Sequence, residues 1–193
     1  MSILKVARLG HPVLRAKARP VDRAEMASPQ FQRLIDDMFE TMNEYAGIGL
    51  AGPQVHAGLR VFVAGLKAVP IGESMTGERD MPLVVLVNPE ITPIGPDIEE
   101  GWEGCLSIPD MRGKVPRALE IQVRAFDRHG KRIEFRASDL PARVIQHEAD
   151  HLDGIMFFDR MRSFETLSFM DEYNKYWAPG DDEDDEDEDE DGE

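Results

Sequence analysis

The sequence has one cysteine in 193 residues, so no internal disulfide can form and a disulfide-stapled secreted scaffold is excluded. It also has no apolar run near the roughly 20 residues needed to cross a bilayer. Its first residues, Met1-Ser2-Ile3-Leu4-Lys5, lack the long apolar stretch of a secretion signal. The expectation is a cytoplasmic chain without membrane contact. Basic residues are few, 22 against 38 acidic ones, for a net charge of −16. A protein built to hold phosphate backbones needs a cationic surface, so DNA is not an expected partner. The imbalance is local: residues 181–193 hold 12 acidic side chains, and without them 26 acids face 22 bases. Apolar residues make up 41% of the chain, enough for a core. One catalytic domain over residues 1–178 is expected. An acidic tail, 179–193, lacks the apolar surface to offset its ordering entropy and is expected to be disordered.

The clearest helical pattern follows Ser28-Pro29, an N-cap and a proline at the first helical position. Phe31, Leu34, Ile35, Met38, Phe39, Met42 and Tyr45 then form a single helical stripe, ended by Gly47. Before it, the chain to Arg23 reads as extended segments and turns. Residues 47–54 read as a glycine-rich loop, 59–63 and 83–87 as strands, and 67–82 as a surface loop between them. Leu119, Ile121, Val123 and Ala125 alternate with polar residues, as in a half-buried strand, and Asp127-Arg128-His129-Gly130 turns it into another over 131–136. Ser138 is expected to cap a helix running to about Leu152, with Pro141 in its first turn and Gly154 at its end. The amphipathic stretch from Phe164 to Trp177 is expected to form a short helix. Strands and helices without strict alternation indicate an α+β fold.

Chemistry concentrates in His147-Glu148-Ala149-Asp150-His151. Histidines at i and i+4 project from one helix face and can share a cation. Glu148 beside them is free to move a proton. A catalytic site of this kind needs a third protein ligand. The extended protease pattern would supply a histidine downstream, but Phe157 stands at that position and cannot ligate. Cys105, 42 residues before His147 and next to Gly104, is the better candidate, although a lone cysteine is more often an inert buried thiol. A metal-dependent peptidase remains the alternative reading of these residues.

Three blocks together resemble the peptide deformylases: Gly47-Ile48-Gly49-Leu50-Ala51-Gly52-Pro53-Gln54, then Glu103-Gly104-Cys105-Leu106-Ser107, then residues 146–154 around the two histidines. One difference is Gly52, where the family usually has alanine. The resemblance implies antiparallel sheets packed around a central helix that carries H-E-x-x-H. It implies a hydrolase that removes the formyl group from the N-terminal formylmethionine of newly made polypeptides, probing nascent chains near the ribosome as a monomer. Carried onto this sequence, Cys105, His147 and His151 are metal ligands and Glu148 is the general acid/base. Gln54 and the Leu106 N–H are donors to the reacting oxygen. Gly49, Ile48, Leu140, Val144 and Arg112 contact the substrate. Ligand chemistry alone suggests zinc; the resemblance implies one Fe2+ per chain, replaceable by zinc, nickel or cobalt. Glu103 is a candidate partner for a ligand histidine, and Asp150 for Arg117.

Overall fold

In the computed structural model, which describes residues 2–66, 74–75 and 81–178, helices and two mainly antiparallel sheets combine. The chain begins with extended segments and a 3-10 turn, Pro12–Arg15. A four-residue helix, α1 (Arg23–Met26), leads to α2 (Pro29–Glu44). Ser28 Oγ accepts from the Phe31 N–H at 3.2 Å, the expected cap. The apolar stripe is also as expected: Phe31, Ile35, Met38 and Met42 are all buried.

The larger sheet contains β1 (Gly49–Ala51), β2 (Val61–Ala64), β3 (Ser74–Met75), β4 (Val84–Pro93), β7 (Glu120–Phe126) and β8 (Arg132–Ser138). Their order is β1-β2-β4-β7-β8-β3, antiparallel except for the parallel β3–β8 pair. Between β4 and β7 the chain leaves to build a second sheet from β5 (Ile98–Cys105) and β6 (Ile108–Ala118), joined later by β9 (Ser168–Phe169). Helix α3 (Asp139–Leu152) follows β8, and α4 (Met170–Tyr176) follows β9.

Strand period two decides which layer each side chain enters. In β2, Phe62 and Ala64 join Leu86, Ile121, Ala142, Ile145 and Leu152 in a core shared with α3. Their neighbours Val61 and Val63 instead join Phe31, Ile35, Met38 and Met42 of α2. A third cluster joins Ile108 and Val115 of β6 to Leu14, Met156 and Phe157. Phe157, where the protease pattern would need a ligand, is thus a core residue only 1% exposed. On its other side α3 meets the smaller sheet through polar bonds. Arg143 donates to the Val115 and Glu99 carbonyls at 2.7 and 2.9 Å, and Gln146 brackets the Ala118 backbone.

Several sequence expectations change. The 47–54 loop contains β1 and a 3-10 turn, Gly52–Val55, because its small residues fit between β2 and α3. Ser138 stands at the N-cap of α3 as expected, but its side chain makes no capping hydrogen bond; its hydroxyl donates to Asp139 instead, at 2.7 Å. Only 170–176 of the 164–177 stretch is helical, since Ser168 and Phe169 pair with β6. Of the expected 67–82 loop, residues 67–73 and 76–80 lie outside the described residues. Met81 is no surface residue but is 1% exposed and accepts from the Leu66 N–H through its carbonyl. The tail expected over 179–193 likewise lies outside the described residues. Among the described residues, no helix is long and apolar enough to cross a membrane.

Candidate metal centre

Three elements deliver the chemistry to one place. Helix α3 carries His147, Glu148 and His151 on one face, β5 ends at Cys105, and the turn after β1 carries Gln54. One ligand atom from each of Cys105, His147 and His151 lies within 4.8 Å of the other two. Cys105 Sγ is 3.3 Å from His151 Nε2. A sulfur and two ring nitrogens at this spacing match the donor set of a divalent cation with a position left for a non-protein ligand.

The far side of His147 is fixed. Its Nδ1 donates to Glu103 Oε2 at 2.8 Å, which leaves Nε2 for the site. Glu103 also accepts from Arg117 at 2.9 and 3.0 Å and from Arg143 at 3.1 Å. Arg117 continues to Asp150 at 2.5 Å, and Asp150 accepts from Arg160 at 2.7 Å. Both expected pairings, Glu103 with a ligand histidine and Asp150 with Arg117, are present. Arg143 was not expected. Its position four residues before His147, on the same helix face, is the signal that could have identified it.

This network sets the charges. Burial opposes ionisation of Glu103, but hydrogen bonds from His147 and Arg117 outweigh it and bring its pKa to about 2. For His147, burial opposes the charged ring, yet bonds to Cys105 and Glu103 push it well above the ordinary value. Burial, with His147 and Arg117 nearby, holds His151 well below its own. Glu148 is different. Burial pushes it up to about 7, and its Oε2 has no hydrogen-bond partner among the described residues. A buried carboxyl poised near neutrality and open on one oxygen is what a proton carrier needs.

Gln54 is 1% exposed. The Ala51 N–H donates to its Oε1 at 2.7 Å, which turns its Nε2 toward Cys105 Sγ at 3.5 Å and Ser107 Oγ at 3.3 Å. The amide is thus presented to the site as a donor. Gly49, Ile48, Leu106, Leu140, Val144 and Arg112 line one cavity of about 590 Å³ together with Gln54, Cys105, His147 and Glu148. His151 is not in that wall and reaches the site through Cys105. Trp102 and Met170, which sequence reading did not single out, also line it.

Two glycines are explained by close approach. A Cβ on Gly49 would stand 2.3 Å from Glu148 Oε1 and 2.7 Å from its Cδ. A Cβ on Gly52 would stand 2.9 Å from the carbonyl oxygens of Ala57 and Leu59, which accounts for glycine at that position here. Gly49→Ala should therefore displace the Glu148 carboxyl. A shift of that kind is expected to lower turnover on the order of 10²-fold with the unfolding transition little changed, as steady-state kinetics and a thermal melt would show.

Comparison with known proteins gives a consistent result. A family model described as polypeptide deformylase matches residues 3–166. "Peptide deformylase 2" of Pseudomonas syringae pv. tomato is 39% identical over 181 residues, which is 94% of this chain and 99% of the relative. The Met-Ala-Ser-bound crystal structure of a class I type b peptide deformylase from Acinetobacter baumannii superposes with a TM-score of 0.75 at 38% identity, covering 83% of this chain and 100% of that one. The peptide deformylase of Thermotoga maritima gives 0.72 at 34% identity, over 84% of this chain and 100% of that one.

Proposed function

The chain belongs to the polypeptide deformylase family, and we propose that Glu148 and a cation held by Cys105, His147 and His151 perform its reaction. That reaction is hydrolysis of the formyl group from the N-terminal formylmethionine of newly made polypeptides, with release of formate. The observation that carries the assignment of residues is the convergence of one sulfur and two ring nitrogens beside a buried carboxyl with an unpartnered oxygen.

When bound, the cation supplies Lewis acidity, which makes water a stronger acid and draws electron density from a carbonyl oxygen. Fe2+ is our reading of the metal, one per chain, with zinc, nickel or cobalt able to replace it. Glu148 takes a proton from the attacking water. As the C–N bond breaks, it returns that proton to the leaving amine, so formate departs and the peptide keeps a free N-terminus. Negative charge grows on the former carbonyl oxygen. Gln54 Nε2, already held toward the site by Ala51, donates to that oxygen, and the Leu106 N–H is the second donor. The methionine side chain enters the cavity against Ile48, Leu140 and Val144, while Gly49 and Arg112 meet the peptide backbone. The Glu103–Arg117–Asp150 network holds the His147 ring in place and keeps its Nε2 turned to the cation.

We read α3 as the central element of the fold, with residues 1–178 as a single catalytic unit. Its working form in this reading is a cytoplasmic monomer acting near the ribosome.

The direct test is chromatography of formyl-Met-Ala-Ser after incubation with protein reconstituted with Fe2+ without air. Formate and intact Met-Ala-Ser are expected. Cleavage between the residues would overturn the reading in favour of a metal-dependent peptidase.

A further inference from the structure

The cavity wall extends past the part of the chain that the family model matches. The match ends at residue 166, yet Met170 lines the cavity, and the segment that brings it there grips two other wall residues. Strand β9 pairs with β6, placing Ser168 opposite Arg112 and Phe169 opposite Met111. Helix α4 then sets Tyr173 against Trp102 with ring centroids 4.8 Å apart, and Trp177 follows at 5.6 Å from the same ring. The Arg112 guanidinium lies over the Tyr173 ring at 5.2 Å. This cation–π contact restrains Arg112, whose buried Nε has no hydrogen-bond partner among the described residues. A half-buried aromatic and a methionine beside an arginine form a cavity wall complementary to a peptide with bulky apolar side chains.

We propose that the segment over residues 168–177 is a specificity wall, which selects the substrate residues that follow formylmethionine and favours bulky apolar ones. Trp102 and Met170 receive those side chains. Arg112 is the wall residue that meets the same stretch of peptide, and Tyr173 is its positioning residue. The inference rests on the deformylase reading above and extends that site to the rest of the peptide.

The test compares three substrates: formylmethioninamide, formyl-Met-Ala-Ser and formyl-Met-Leu-Phe. The native protein should prefer the last by kcat/KM. Met170→Ala should reduce its preference for formyl-Met-Leu-Phe over formylmethioninamide about 4- to 15-fold, the effect of exposing one or two methylene equivalents. Tyr173→Leu should raise KM for both tripeptides more than it lowers kcat, and Tyr173→Phe should restore KM, because the ring alone stacks on Arg112. Both tryptophans of the chain, Trp102 and Trp177, belong to this cluster. Titration with the product Met-Leu-Phe should therefore change tryptophan emission saturably where methionine does not. Equal losses on all three substrates, or an unchanged preference in Met170→Ala, would overturn the inference while leaving the deformylase reading intact. Failure of the native protein to release formate from any of the three would overturn both.

Discussion

Replacing Glu148 with glutamine should lower turnover of a formylmethionyl peptide by roughly 10²- to 10⁴-fold, the usual worth of a positioned proton carrier, while metal content stays at one equivalent. Glutamine matches the shape that packs against Gly49 but cannot take or return a proton. The same variant makes a second, opposite expectation about stability. In the metal-free protein, burial raises the Glu148 pKa from 4.5 to about 7. An acid whose folded value stands above its unfolded one contributes stability below the unfolded value and loses it as pH rises through the folded value. The native protein should therefore lose stability relative to Glu148→Gln between about 4.5 and about 7. Urea unfolding of the two metal-free proteins across that range would check this. Formate release measured beside metal analysis would check the first part. Retained turnover in Glu148→Gln would remove Glu148 from the reaction.

Arg117→Met should be the most destabilising single change in the site. Arg117 is 5% exposed and links Glu103 to Asp150, both buried. Removing one partner from a buried ion pair costs roughly 3–5 kcal/mol, because the remaining charge cannot return to water. The lower end is expected, since Arg143 still contacts Glu103 and Arg160 still contacts Asp150. For a domain of this size that corresponds to a fall of about 10 °C in the melting temperature. Metal affinity should fall too, by roughly 10- to 100-fold, because Glu103 orients His147. Calorimetry and competition with a chelator would measure the two effects separately.

The sequence showed some parts of this molecule more clearly than others, for physical reasons. Helix α2 was legible because it is amphipathic, with a serine cap and an N1 proline; both signals are local. The β7–β8 hairpin was legible because one face is buried and the other wet, which writes period two into the residues. The β5–β6 hairpin was not. Ile98, Glu99 and Glu100 are all exposed, and the glycines and Pro116 read as loop, so its pairing is set by β6 across the sheet rather than by its own pattern. The 164–177 stretch was legible only in its second half: residues 170–176 are helical, whereas Phe164 and Phe169 are 66% and 61% exposed and Phe169 pairs with β6. The pattern of His147, Glu148 and His151 was legible from residue type and spacing, whereas Cys105 and Gln54 stood out only through the family resemblance, because each lies on a different element and is placed beside α3 by the fold. What surrounds them was only partly so: Arg143 and Met170 lie far in sequence from Glu103 and Trp102, and only the fold brings them together.

The central claim is that a mid-chain thiol and two imidazoles from α3 share one cation. X-ray absorption spectroscopy of the zinc-loaded protein tests it most directly. The account predicts one sulfur and two imidazole nitrogens around the metal, with the sulfur lost in Cys105→Ala. A metal shell of nitrogen and oxygen alone in the unaltered protein would contradict it.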